Sequence, residues 1–298
     1  MSDAEIKGIE RYLDAVRSTL LFAKGVILVE GDAEQVVIPS LIQEIFGVSL
    51  DELGVSVVSM DSAVFVHIAN LFAENRIRRN CAIVSDSDSP FVPLPDDPSS
   101  DSDFQKKQRR SYNAGAERSE KLREFAEFNP WLSVFLSKHT LEIDLLVSGM
   151  VQEIKAVLPD IYTSESHRRA AAEKIINPNI EISGQELLRI AEKVGKGWLA
   201  LMISSKLTAA SNVPPYILSA VCFASNGVVS LGTYAKICRY RLNKMLELGY
   251  SEYLDFLIQT PMVNINDKSL ISAYSKKFPS DPATILMRNH NLDGIPSP

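Results

Sequence analysis

Apolar runs and helical patterns alternate along the first half of the chain. Apolar residues recur every three or four positions over residues 4–22, which predicts a helix with one face packed on the core. A continuous apolar run then extends from residue 25 and ends at Glu30, which predicts a buried parallel strand. Asp32 is a favourable N-cap for a helix that reaches about residue 46, in which we expect Pro39 to introduce a bend.

The same alternation continues as far as residue 140. The predicted elements are strands over residues 55–59, 82–85 and 131–136, and a helix over residues 62–74. Strands and helices that alternate with short connections predict an α/β fold with a parallel sheet covered by helices. Such sheets bind ligands beyond the carboxyl ends of their strands, where Glu30 and Asp86 fall.

A change of pattern marks the second half of the chain. Residues 90–103 are rich in proline and aspartate and predict an exposed loop, which a polar helix follows over about residues 114–128. The remaining pattern is helical, over about residues 141–158, 165–175, 184–207, 214–224, 230–248 and 251–258. The sequence therefore predicts an α/β domain over residues 1–140 and an all-helical domain over residues 141–298, whose last ten residues form a frayed tail.

Composition excludes some classes of protein. No run approaches the ~20 consecutive apolar residues of a membrane span, and the N-terminus lacks a signal-peptide pattern, so we expect a cytoplasmic protein that does not bind membranes. The net charge of −6 argues against coating nucleic acid by bulk positive charge, but it leaves room for a local basic patch. The three cysteines, Cys81, Cys222 and Cys238, have no paired spacing and are predicted to be buried thiols.

Two acidic segments are the candidates for chemistry. Asp86 and Asp88 directly follow a buried strand, so their carboxylates can converge on a hard cation such as Mg²⁺. The alternative is an Asx-turn with two surface aspartates. The segment that contains Glu30 and Glu34 ends the first strand and could direct both carboxylates to one pocket, although Glu34 alone is also typical of a first helical turn.

Together these segments resemble the TOPRIM domain, over about residues 24–90. Among TOPRIM proteins, the chain looks most like the C-terminal nuclease region of OLD (overcoming lysogenisation defect) proteins. The motifs that carry this resemblance are residues 17–34, Thr140-Leu141-Glu142-Ile143-Asp144-Leu145 and Lys196-Gly197-Trp198-Leu199-Ala200. The resemblance extends over about residues 10–225, and it departs from the family at Met60-Asp61-Ser62, where a glycine-rich turn is usual.

Carried over residue by residue, the resemblance implies a metal-dependent DNA endonuclease or nickase. The implied metal ligands are Glu30, Glu34, Asp86, Asp88 and Glu142. Lys196 is implied to contact the phosphate or the transition state, and two Mg²⁺ or Mn²⁺ ions are the implied cofactors. Because residues two apart on a helix point in different directions, we expect Glu142 to face the site and Asp144 to act as a second-layer or capping residue.

Other residues are candidates for contacts with substrate. Lys106, Lys107, Arg109 and Arg110 form a basic cluster after the proline-rich loop. They predict salt-dependent binding to the DNA backbone. The alternative is that they form a solvated charged loop. The four histidines have no metal-type spacing and predict core or surface roles, with a catalytic role for His139 as the alternative.

The resemblance also raises the question of partners. OLD proteins join the nuclease to an ABC-type ATPase, but this chain has no G-x-x-x-x-G-K-[ST] motif, so we expect no ATP site in it. We expect the nuclease half of a longer protein, or a nuclease that acts with a separate ATPase subunit; ATP dependence and homodimerisation are implied by the family alone. Two alternatives stay open: a non-catalytic TOPRIM module that binds DNA or a partner protein, and a TOPRIM nuclease that cleaves RNA. A non-catalytic module has no use for convergent carboxylates, which are costly without a cation.

Overall fold

A parallel four-stranded sheet forms the centre of the protein. The computed structural model describes residues 22–60, 65–260 and 265–291. The helix predicted over residues 4–22, except for its last residue, and most of the predicted tail lie outside this part. The strands are β1 (Gly25–Val29), β2 (Val55–Ser59), β3 (Cys81–Asp86) and β4 (Leu132–Ser137). All three pairs are parallel and the strand order is β2-β1-β3-β4, so the predicted α/β fold is confirmed.

Helices cover both faces of this sheet. Alternate residues of a strand point to opposite faces. Val26 and Leu28 face α2 (Phe65–Ala69) and the C-terminal half of α3 (Asp103–Ala126). Ile27 and Val29 face α1 (Asp32–Phe46) and later helices. A strand covered on both faces must be apolar throughout, which is why β1 appears in the sequence as an unbroken apolar run.

The boundaries of the first helices differ from the predictions. Gly31 occupies the N-cap position of α1, and Asp32 is the first helical residue, whose carboxylate accepts a hydrogen bond from Ser59 Oγ at 3.4 Å. Pro39 lies inside this helix. The helix predicted over residues 62–74 is confined, in the described part, to Phe65–Ala69.

The proline-rich segment and α3 also depart from the prediction. The helix begins at Asp103, eleven residues earlier than expected, because Ser102 and Gln105 form a capping box that satisfies its first amides. The preceding segment is not an exposed loop throughout, since Phe91 and Val92 are buried against Ile143.

Helices dominate the chain after residue 140, as predicted. They are α4 (Leu141–Val147), α5 (Val151–Ala156), α6 (Leu158–Ile161), α7 (Glu165–Ile175), α8 (Ile180–Val194), α9 (Lys196–Ser204), α10 (Pro215–Ser225), α11 (Leu231–Glu247), α12 (Ser251–Gln259), α13 (Asp267–Lys277) and α14 (Pro282–Asn289). The helices predicted over residues 141–158 and 184–207 are interrupted by Gly149 and Gly195, which adopt φ values of 98° and 92° that favour glycine. Lys196 therefore starts a helix of its own.

One apolar core joins the sheet to these helices. The largest buried cluster extends from Ile27 in β1 to Met287 in α14, across the boundary predicted at residue 140. The division into two domains stays a prediction. Cys81, Cys222 and Cys238 are buried free thiols, as predicted. No helix in the described ranges is long and apolar enough to cross a membrane.

Candidate acidic site at the carboxyl edge of the sheet

Glu30 and Asp86 lie side by side because Glu30 follows β1 and Asp86 ends β3, its parallel neighbour. The backbone N–H of Asp86 donates to Glu30 Oε1 at 3.3 Å, and the Ser85 hydroxyl donates to the same oxygen. On the other side, Ser137 Oγ at the end of β4 donates to Asp86 Oδ1 at 2.7 Å. Three strand ends therefore hold these two carboxylates.

Glu34 adds a third carboxylate from the first turn of α1. Its side chain is buried, and this burial raises the pKa of Glu34, with further increases from Glu142 and Glu30. Burial also raises the pKa of Asp86, and Glu34 is the charged neighbour that contributes most. Both pKa shifts have the same cause, because negative charges are gathered where water cannot screen them.

Arg118 of α3 bridges the acidic residues and was missed by sequence reasoning. Its Nε lies 3.1 Å from Glu30 Oε1, and a terminal nitrogen lies 3.0 Å from Asp88 Oδ2 and 2.8 Å from the carbonyl oxygen of Asp86. In the sequence Arg118 is one of many charged residues on a polar helix. The one available signal is the helical glycine three positions earlier, Gly115, which lies on the same helix face.

Gly115 lets α3 approach the loop that carries Asp88. A Cβ at this position would lie 2.7 Å from the carbonyl oxygen of Ser87 and 3.0 Å from Asp88 Cβ. Asp88 itself has a φ of 52°, and its backbone N–H donates to the carbonyl oxygen of His139 at 3.1 Å. The loop is thus held between α3 and the residues that follow β4.

Glu142 and Lys196 meet at the start of α4 and α9. Lys196 Nζ lies 3.4 Å from each carboxylate oxygen of Glu142, whose side chain is only 5 % exposed. Burial lowers the pKa of Lys196, but Glu142 and Asp86 outweigh this effect and raise it. Asp144 points elsewhere: it accepts from the backbone amides of Lys138 at 2.8 Å and His139 at 3.3 Å, which come just before α4.

The acidic residues surround a common region without forming a closed cage. Among the described residues, no three histidine, cysteine, aspartate or glutamate side chains are arranged to hold one ion. Arg118 provides the positive charge between Glu30 and Asp88. The donor set nevertheless consists of carboxylate and hydroxyl oxygens, which are the ligands that Mg²⁺ and Mn²⁺ prefer. The residues present therefore fit a hard divalent cation by their chemistry.

The predicted basic cluster lies on the first turns of α3, and not on a loop. Three of its members make ion pairs: Lys106 with Asp103 at 3.4 Å, Lys107 with Glu192 at 2.8 Å, and Arg109 with Asp101 at 2.7 Å. Arg110 lies beside them on the same helix. Much of the positive charge predicted to grip DNA is thus balanced within the chain.

A cavity of about 190 Å³ opens next to Asp88 and Lys196. Lys107, His139 and Thr140 contribute to its lining. His139 is buried and its Nδ1 lies 2.6 Å from the carbonyl oxygen of Ser89, which agrees with the structural role predicted for it.

Comparisons with known proteins bear on the TOPRIM region and the fold. Residues 21–88 match the family model described as "Overcoming lysogenization defect protein-like, TOPRIM domain", which confirms the resemblance found in the sequence. The chain is 25 % identical to the C-terminal region of the Burkholderia pseudomallei OLD protein, with a TM-score of 0.50 over 68 % of this chain and 98 % of that one. The C-terminal region of the Xanthomonas campestris pv. campestris OLD protein is 22 % identical, with a TM-score of 0.49 over 69 % of this chain and 94 % of that one. A comparison with curated proteins finds no match.

Proposed function

Starting from this OLD-like TOPRIM region, we propose that the protein is a divalent-metal-dependent nuclease that cleaves phosphodiester bonds in DNA. The family and fold support a nuclease-type TOPRIM module in general. The observation that carries the finer proposal is the gathering of five carboxylates at one edge of the sheet, close to Lys196. They are Glu30, Glu34, Asp86, Asp88 and Glu142.

We assign the five carboxylates to metal binding. Two ions, when bound, supply the means to activate a water molecule and to stabilise the leaving oxygen. Lys196 places a positive charge beside Glu142, where it can stabilise the negative charge that develops on the phosphate. Its side chain is 59 % exposed, so it can reach a bound strand without leaving Glu142.

Arg118 has a place in this proposal. It pairs with Glu30 and Asp88, which are two of the residues that would hold a divalent cation, so it would compete with the cation for them. The Arg118 side chain is 26 % exposed, which leaves room for it to turn towards a DNA phosphate. The DNA strand would approach along α3, on the N-terminal side of Arg118. The basic residues there are Arg110 and the ion-paired Lys106, Lys107 and Arg109.

The proposed partners follow from the relatives. The similar solved structures are C-terminal regions of OLD proteins, and we propose that this chain acts with an ATPase domain or subunit. We also propose that the chain forms a homodimer, and this proposal likewise follows from the relatives. Size-exclusion chromatography with light scattering tests the dimer.

Plasmid cleavage tests the function. Supercoiled and linear plasmid are incubated with EDTA, Mg²⁺, Mn²⁺ or Ca²⁺, and the parent is compared with Asp86→Asn and Lys196→Met. We expect metal-dependent nicking that falls at least 100-fold in both variants. The matched controls are Asp255→Asn and Lys236→Met, which change an exposed aspartate and an exposed lysine that pairs with Glu52, and which should cleave at the parental rate.

The non-catalytic alternative has one observation in its favour. Arg118 already pairs with two of the carboxylates, which lowers the cost of gathering them without an ion. A folded parent that shifts DNA in a gel but cleaves it with none of the metals would establish the binding module. Cleavage of RNA and not DNA in the same assay would establish the RNA nuclease.

A further inference from the structure

The Tyr216 side chain lies at the start of α10. Its hydroxyl is buried and has no hydrogen-bond partner among the described residues. A buried phenol that makes no hydrogen bond is unfavourable, and most such groups in folded proteins have a partner. The position of α10 indicates where that partner would come from.

The end of α10 lies at the amino edge of the sheet. A Cβ on Gly25, the first residue of β1, would lie 1.9 Å from the carbonyl oxygen of Ala224. Asn80, just before β3, donates its side-chain amide to the carbonyl oxygen of Phe223 at 2.8 Å. Both contacts place the last turn of α10 beside the residues where the strands begin.

The start of α10 must therefore lie at the carboxyl edge. A helix of this length spans about 15 Å, which is close to the length of a five-residue strand. Because α10 packs along β1, β3 and β4, its first turn reaches the ends of the strands where Asp86 lies. The helix brings Tyr216 to the acidic site from the face of the sheet opposite Arg118.

The charges that act on Tyr216 agree with this position. Burial raises the pKa of Tyr216 most, and Asp86, Asp144, Glu34 and Glu142 raise it further. The group therefore stays a neutral phenol, which can donate one hydrogen bond. Asp86 has one carboxylate oxygen already occupied by Ser137 Oγ, and its second oxygen makes no hydrogen bond with a described side chain.

We propose that Tyr216 is a positioning residue of the metal site, whose hydroxyl donates to the Asp86 carboxylate when a divalent cation is bound. This inference rests on the proposed function. Ser137 and Tyr216 would then hold Asp86 from two sides and set the direction in which its carboxylate faces the cation. Partners that orient a metal-binding side chain typically change metal affinity by about 10–100-fold when they are removed.

Mn²⁺ binding without DNA tests the inference. Free Mn²⁺ is measured by electron paramagnetic resonance during titration of the parent, of Tyr216→Phe and of the control Tyr240→Phe, which loses a hydroxyl that donates to the backbone carbonyl oxygen of Glu44. We expect Tyr216→Phe to bind Mn²⁺ at least 10-fold more weakly and Tyr240→Phe to bind like the parent. Cleavage by Tyr216→Phe should recover towards the parental rate at saturating Mn²⁺, because the residue acts through Asp86.

Thermal unfolding without metal separates this role from a structural one. Removal of an unpartnered hydroxyl should leave the metal-free Tm unchanged or higher, while the rise in Tm on adding Mn²⁺ becomes smaller. If the phenylalanine variant folds poorly, both measurements are repeated with Tyr216→Leu. Parental Mn²⁺ affinity in a folded Tyr216 variant would overturn the inference alone. A parent that binds no Mn²⁺ would overturn both the inference and the metal-dependent function.

Discussion

Gly115→Ala is the substitution that most directly probes how the acidic loop is positioned. The added methyl group would meet the carbonyl oxygen of Ser87 at 2.7 Å, which is short of an ordinary contact of 3.4 Å by about 0.7 Å. It would also lie 3.0 Å from the Oδ2 atom through which Asp88 contacts Arg118. The helix and the loop must therefore move apart at the point where the carboxylate is held.

Two effects on stability nearly cancel. Alanine is favoured over glycine inside a helix by about 1 kcal/mol, and overpacking of this kind costs about 1–3 kcal/mol. The free energy of unfolding should fall by about 0–2 kcal/mol. Activity should fall much more, because a displacement of ~1 Å at a reacting group can cost about 100-fold in rate.

The assay combines urea unfolding with Mn²⁺-dependent plasmid nicking. The control is Gly232→Ala in the first turn of α11, where the nearest side-chain atom to the added Cβ is 3.8 Å away and no clash arises. We expect Gly232→Ala to nick DNA at the parental rate. Parental nicking by Gly115→Ala would refute the reasoning, since it would mean that the close approach of α3 does not position Asp88.

Three further predictions concern ion pairs and pH. Arg118→Met should lower the metal-free stability by about 1–2 kcal/mol, because it leaves two partly buried carboxylates unpaired, and Mn²⁺ should restore most of the loss in urea unfolding. Arg241→Met should lower the free energy of unfolding by about 3–5 kcal/mol, since it removes the guanidinium that pairs with the buried Asp281 carboxylate. Removal of Arg239, whose ion pair with Asp267 is exposed, should cost about 0–1 kcal/mol in the same measurement. Burial lowers the pKa of His290, so its contribution to stability is complete above about pH 6.5 and is lost as the pH falls through the lower native pKa. His290→Gln should flatten the dependence of Tm on pH below 6.5, and an unchanged slope would contradict this assignment.

The strands and their acidic ends were accessible from the sequence because the signals are local. An unbroken apolar run predicts a strand buried on both faces, and β1 to β4 all appear within one or two residues of their predicted positions. Parallel strands share a carboxyl edge, so the placement of Glu30 and Asp86 at one edge followed from the alternation of elements. Their adjacency depends on the strand order, which puts β1 beside β3 and which only the structure shows. Their assignment as metal ligands stays a prediction.

Other features depended on which helix faces meet, which no local pattern specifies. Arg118 and Tyr216 lie on helices that are far along the chain from Glu30, and each looks in the sequence like many other polar residues. A polar helix has the same composition whether one face meets solvent or an acidic site, and an apolar helix has the same pattern whichever way it crosses a sheet. The apolar periodicity by itself determined the sheet and the edge at which its carboxylates collect. Only the tertiary structure decided that α3 brings a guanidinium to those carboxylates and that α10 runs antiparallel to the strands, because both depend on packing between distant segments.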